Sequence, residues 1–226
     1  KHGDAPAEVI SQIDSCLRET PNWQLGAIGT LVSGPPKKKA VIFLIDRTWE
    51  PILLPAVQSV ENVFKNNINA DDHVGYKSMG DRWIFELSEK RQDESGKLKH
   101  IQESAELRGS PLLYSSMNMC LAKLEELQRL DLSAWLVVLS DTVDLTDPWE
   151  YCQKEARAVT AKLREMSKSD LNLVIIDSKA ISGWNPTNER WPFFGDSVKD
   201  FVQAVGSKGY HLSATNAAEI QQRFQE

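Results

Sequence analysis

Three short stretches of the chain are continuously apolar and close on an acid: residues 40–46 (AVIFLID), 134–141 (AWLVVLSD) and 171–177 (LNLVIID). Runs of this length, rich in Val and Ile and without polar alternation, predict strands buried on both faces of a parallel sheet. Between them the apolar positions change to helical spacing. Leu53, Val57, Val60 and Phe64 fall three or four apart within residues 52–64, with Pro51 where a first helical turn tolerates it. Residues 111–130, with Leu112, Met119, Leu124 and Leu127, and residues 149–166 read as further helices. Two shorter pieces, 73–78 and 82–87, are strand-like, and Met79-Gly80-Asp81 between them is short enough for a hairpin. Residues 198–205, 209–213 and 216–224 read as helix, strand and closing helix. Residues 88–108 are charged, of mixed sign and interrupted by Gly96, and they read as a solvated loop.

Strands alternating with helices predict an α/β fold: a doubly wound, mostly parallel sheet, to which the hairpin adds one antiparallel edge strand. No internal repeat is visible. Ahead of this region, residues 6–19 place Val9, Ile10, Ile13 and Leu17 on one side of a helix. Such a helix packs on the main domain or docks on a neighbour. Residues 23–33 are apolar and strand-like, and SGPPKKK, ending in Lys37, Lys38 and Lys39, is a turn-rich connector. The organisation expected is therefore an N-terminal helix and connector over 1–38 and an α/β domain over 39–226.

Composition narrows the function classes. At 226 residues, 41% hydrophobic and 26% charged, the chain is ordinary globular material, large enough to bury a core. Its 26 Lys and Arg against 32 Asp and Glu leave a net charge of −6, a poor match to nucleic acid, which selects a basic surface. No apolar run approaches the roughly 18 residues of a membrane span. The three cysteines, Cys16, Cys120 and Cys152, are odd in number and lack CxxC spacing, so neither a disulfide framework nor a zinc site is indicated. Asn185-Pro-Thr187 is blocked as a glycosylation acceptor by its proline. With no hydrophobic leader, these features lean towards an intracellular, cytoplasmic protein. The first residue is Lys rather than Met, as expected of a processed chain or a piece of a larger one.

Chemistry in an open α/β sheet gathers outside the carboxyl ends of the strands. The three apolar runs end at Asp46, Asp141 and Asp177. Acids there can simply cap the following helices. However, Asp46-Arg47-Thr48-Trp49-Glu50 sets oxygen side chains at alternate positions, and Gly109-Ser110-Pro111-Leu112 opens another helix with a hydroxyl. Carboxylates and hydroxyls converging from separate loops make a hard-oxygen site suited to Mg²⁺, Mn²⁺ or Ca²⁺.

The segments FLIDRTWE, GSPLLYSSM and WLVVLSDT, together with the closing GYHLSATNAAEIQQRF, resemble the von Willebrand factor A (VWA) family. That family has a strand ending in Asp-x-Ser-x-Ser, a helix, a hairpin, a Gly-Thr-Pro-Leu-like helix start and a strand ending in Thr-Asp-Gly. The likeness runs from Lys39 to Glu226 and implies a non-enzymatic interaction module with a metal-ion-dependent adhesion site. In it, Asp46 matches the first Asp, Thr48 the first Ser, Ser110 the distant Thr and Asp141 the second Asp. Glu50 stands at the second Ser position and Thr142 replaces the Gly, so the site is divergent and a metal-free interaction fold is the alternative. The resemblance implies a protein partner, whose acid often completes the metal shell. Glu50 has two readings: it occupies that coordination position itself, or it merely complements the helix dipole.

A hydrolase is the competing class. A phosphatase-like enzyme also begins with a buried strand ending in an acid, with Asp46 as nucleophile and Mg²⁺ as cofactor, but its Asp-x-Asp-x-Thr motif wants Asp and Thr where Thr48 and Glu50 stand. There is no P-loop and no nucleophile elbow, and His2, His73, His100 and His211 show no catalytic spacing. Finally, residues 178–196 (SKAISGWNPTNERWPFFGD) carry Trp184, Trp191, Phe193 and Phe194 on a segment leaving the same end of the sheet. Residues 142–149 add Asp144, Asp147 and Trp149. Aromatic rings on such loops form contact surfaces, or fold back as a lid over the sheet edge.

Overall fold

The structure is a computed structural model that describes residues 37–48, 50–80, 82–106, 112–127, 130–141, 144, 149–182 and 194–225. The expected N-terminal helix and strand-like piece lie outside them. Lys38–Glu226 forms one compact unit. Its centre is a six-stranded sheet of β1 (Lys39–Ile45), β2 (His73–Ser78), β3 (Trp83–Glu89), β4 (Ser133–Ser140), β5 (Leu171–Asp177) and β6 (Gly209–Ser213). The strand order is β3-β2-β1-β4-β5-β6. All neighbours are parallel except β2 and β3, which form the antiparallel edge hairpin. The helices are α1 (Glu50–Asn66), α2 (Glu94–Glu103), α3 (Leu113–Glu126), α4 (Trp149–Met166), α5 (Lys179–Ser182), α6 (Phe194–Val205) and α7 (Ala217–Arg223).

The apolar runs become central strands because both of their faces have cover to meet. Ala40, Ile42 and Leu44 of β1 join Leu136, Val138, Leu173 and Ile175 in a core closed by Met117, Leu121, Val159, Leu163 and Phe201 of α3, α4 and α6. Val41, Phe43 and Ile45 face the other way, against Ile52, Val57, Val60 and Phe64 of α1, Ile101 of α2 and Ile220 of α7. The alternate apolar positions of α1 thus do what their spacing predicts. In the hairpin, the ladder slips between Val74 and Tyr76. Gly75 sits there because a Cβ would come within 3.2 Å of the Leu87 backbone, and Gly80 takes φ 97 in the link to β3.

One expectation is corrected. Of residues 88–108, those described, 88–106, are not a solvated loop. β3 runs on to Glu89, α2 follows, and a 3₁₀ turn covers Ser104–Glu106. The helix starts from Asp93, which takes a left-handed φ of 59 and accepts the Gly96 amide at 3.2 Å. It is anchored by two buried residues four apart, Lys97 and Ile101. The Lys97 ammonium donates to the carbonyls of Glu89 and Gln92, the latter at 2.6 Å. A helix held by one apolar residue and one lysine has too little amphipathic signal to be seen in the charge pattern.

Truncation tests this architecture. Leu44→Ala should cost about 2–5 kcal/mol in urea denaturation, Val138→Ala somewhat less, and Ile101→Ala a loss of the same order as Leu44→Ala. Losses under about 0.5 kcal/mol at Leu44 and Val138 would contradict the sheet assignment. The same result at Ile101 would restore the solvated loop.

Candidate metal centre

The sheet order reverses between β1 and β4: the crossover leaving β1 goes to β2, and the one leaving β4 goes to β5. A crevice opens at such a switch point, outside the carboxyl ends. The ladder carries polar residues into it. The Asp46 amide donates to the Leu139 carbonyl at 2.8 Å, and the Ser178 amide to the Ser140 carbonyl at 2.9 Å, so the parallel pairing continues one step past the strands. By this register Asp46, Ser140 and Asp177 follow one another across three strands.

Asp46 is 1% exposed. Its Oδ1 accepts two bonds from Thr48, the amide at 2.9 Å and the hydroxyl at 2.7 Å. This local turn is what the Asp-x-Thr spacing produces. Its Oδ2 is buried and has no hydrogen-bond partner among the described residues. Burial therefore dominates and holds the carboxyl above the ordinary aspartate range, opposed by the Thr48 bonds and by the backbone amides of Arg47 and Asp141 nearby. Thr48 is exposed and Asp141 half-buried at the same edge.

Arg47 was not singled out by its sequence. It points to the other face of the sheet, is 2% exposed, and its guanidinium donates to the Ser104 carbonyl. The Ser104 hydroxyl in turn donates to the Ile101 carbonyl at 2.6 Å and meets the Tyr76 hydroxyl at 3.1 Å. The turn bearing Asp46 is thus tied to α2. Ser178 is a second residue that the sequence reading passed over: its hydroxyl is buried and unpartnered among the described residues, one step beyond β5. Across that strand end, His211 Nε2 lies 3.3 Å from Asp177 Oδ2.

No family model and no curated protein matches the chain. Solved structures do. The SpRpn10 VWA domain aligns with TM-score 0.55 and 15% identity, over 83% of this chain and 94% of that one. BatB from Bacteroides thetaiotaomicron aligns with TM-score 0.53 and 10% identity, over 83% and 97%. An aerotolerance-related membrane protein from Bacteroides fragilis, with multiple mutations to serines, aligns with TM-score 0.52 and 11% identity, over 83% and 96%. The chain has a VWA-like fold.

Within this VWA-like fold, Asp46 and Thr48 are hydrogen-bonded at the carboxyl end of β1, the Asp141 backbone lies beside the Asp46 carboxyl just past β4, and the backbone of Glu50 opens α1. Ser110 lies outside the described residues, as do Trp184, Trp191 and Phe193. Phe194 opens α6 and Trp149 opens α4. Asp144 is buried, and its Oδ2 accepts the Tyr114 amide at 2.8 Å. It thereby caps α3 from a distant loop, a role invisible at the sequence level because donor and acceptor are 30 residues apart. Among the described residues no three His, Cys, Asp or Glu side chains converge as a ready metal cluster. A dication at Asp46 would therefore rely on hydroxyl oxygens as well as carboxylates. The donor set fits a hard cation: Oδ2 has no hydrogen-bond partner among the described residues, and the exposed Thr48 hydroxyl, which donates its proton to Oδ1, keeps its lone pairs for another contact.

The raised carboxyl makes a pH prediction. Folding tightens the Asp46 proton, so the stability linked to it is complete below the ordinary aspartate pKa, about 4, and is lost as pH rises through the folded value. Asp46→Asn removes that loss. In metal-free buffer the variant should exceed wild type in urea stability at pH 7, and the gap should close as pH falls towards about 4. A gap that is absent at pH 7, or that widens on acidification, would contradict the burial assigned to this carboxylate.

Proposed function

We propose that this chain is a non-enzymatic protein-interaction module that engages its partner at the carboxyl-end face of the sheet through a bound divalent cation. Mg²⁺ is the expected ion, with Mn²⁺ or Ca²⁺ as substitutes. The observation that carries this reading is the Asp46 Oδ2 atom, a buried carboxylate oxygen with no hydrogen-bond partner among the described residues, at the carboxyl end of β1. An unpaired buried charge is costly, and a hard cation offsets that cost while leaving coordination positions open outward. Asp46, Thr48, Glu50, Ser110 and Asp141 supply the oxygens. The aromatic residues Trp149, Trp184, Trp191, Phe193 and Phe194 supply the apolar part of the contact, and an acidic side chain of the partner approaches the metal.

Glu50 modulates that approach. A neutral residue there would leave the dication under-compensated and attractive to an outside carboxylate. Glu50 adds a full negative charge with a longer reach, so the ion is held more tightly and draws an acidic partner less.

Calorimetric titration of Mg²⁺ into wild type, Asp46→Asn and Glu50→Ser tests both statements. Wild type should bind, Asp46→Asn should not, and Glu50→Ser should bind more weakly while its affinity for an acidic peptide stays level or rises. Equal metal affinity in wild type and Glu50→Ser would remove the role given to Glu50. No heat in wild type would remove the cation. Mg²⁺-dependent turnover of p-nitrophenyl phosphate, lost in Asp46→Asn, would make the chain a hydrolase instead.

A further inference from the structure

The helix α4 carries charge differently on its two sides. Towards α3, the charged side chains are spent on neighbours: Lys162 meets Glu125 at 2.8 Å, and Glu155 accepts the Asn118 amide at 2.7 Å. Exposed bases elsewhere on the domain, such as Lys65 beside Glu61, Lys99 beside Glu103 and Arg91 beside Glu89, also sit within reach of an acid. The outer face of α4 breaks this pattern. Lys154, Arg157 and Arg164 follow one another along it, and Lys168 continues the row in the 3₁₀ turn Ser167–Ser169. All of these bases are exposed, and among the described residues their side chains form no ion pair or hydrogen bond. The nearby acids do not neutralise them. Glu150 and Glu165 are exposed on the same helix, and Asp200 of α6 lines the same hollow as Arg157, about 200 Å³ in volume, yet none of the three is ion-paired among the described residues. Between the bases the face is low, with Ala158 and Ala161 exposed, and Tyr151 is 47% exposed at its amino end. At 1.5 Å per residue the row from Lys154 to Lys168 runs for about 21 Å. It gathers positive charge on one face of a chain whose net charge is −6.

We propose that the outer face of α4 docks an acidic helix of a partner protein, at a surface separate from the cation site at Asp46. A helix laid along α4 repeats its carboxylates at the same period as Lys154, Arg157 and Arg164, and the two alanines let the axes come close. A base that has no acid in place gives up nothing on meeting a partner's carboxylate, whereas a paired base must first release its neighbour. The net charge selects a short occupant over an extended polyanion. A nucleic acid or an anionic membrane meets the negative charge of the whole chain, while a helix held within a Debye length of about 8 Å meets the stripe alone.

The test uses the full chain in EDTA, so that no cation takes part, and fluorescently labelled helix-forming peptides read by anisotropy. One peptide carries Glu at i, i+3, i+7 and i+10, and the other carries Gln at the same positions. The Glu peptide should bind and the Gln peptide should not. Affinity should fall at least about tenfold in Arg157→Glu/Arg164→Glu, and also as salt is raised from about 50 to about 500 mM. Lys65→Glu/Lys99→Glu changes the net charge equally, on α1 and α2 across the sheet, and should bind as wild type does, as should Asp46→Asn. All four replaced bases are exposed, so folding is kept, which circular dichroism checks. No binding at low salt, equal affinity for the two peptides, or an equal loss in Lys65→Glu/Lys99→Glu overturns the proposal. So does displacement of the peptide by a lower charge concentration of single-stranded oligonucleotide or of phosphatidylserine vesicles, which would make the partner a nucleic acid or a membrane. Binding that appears only in the full-length Glu8→Lys/Asp14→Lys variant overturns it as well, since the occupant of α4 would then be this chain's own leading segment.

Discussion

A parallel sheet delivers the ends of its strands to one edge, and here it carries a carboxylate that is almost wholly buried. The Asp46 amide is locked to β4, so its side chain has no freedom to leave. One oxygen is satisfied within three residues by Thr48, while the other is buried with no hydrogen-bond partner among the described residues. An unpaired buried charge is among the costliest features a fold can keep. Arg47, the adjacent cation, is turned through the sheet and spent on the Ser104 carbonyl. That division puts a positive charge under the α2 side of the sheet and leaves the negative one facing the crevice.

The same geometry explains the arrangement of the helices. Among the described residues, cover on the face of Leu44 and Val138 comes from α3, α4 and α6, while the opposite face has α1, α2, the short α5 and the seven-residue α7. The central strands are apolar on both sides regardless. The fold therefore has two distinct surfaces: a polar one at the carboxyl ends, where Asp46 lies, and an apolar row of Phe43, Val137, Val174 and Tyr210 across the sheet.

Most of the architecture was legible because it rests on periodicity. The runs that become β1, β4 and β5, the spacing of Leu53, Val57, Val60 and Phe64, and the short link at Gly80 each have a physical meaning that survives folding. The helix α2 was not legible, since Lys97 is buried by donating to carbonyls whose positions no local pattern announces. At the site, the Asp46–Thr48 turn is local and could be read directly. Asp144, Arg47 and Ser178 could not be: one caps a helix 30 residues away, one reaches a carbonyl 57 residues away, and one is defined by burial alone. The identities of the long-range partners are set by the crossing of loops at the switch point, which leaves no trace in spacing.

The most direct measurement is anomalous diffraction from crystals of the full chain grown with Mn²⁺. The expected result is a single strong anomalous peak in the crevice beside Asp46 Oδ2, absent in crystals of Asp46→Asn. A map with no peak there, and with Oδ2 satisfied by a protein donor instead, would contradict the claim that this buried carboxylate is kept for a cation.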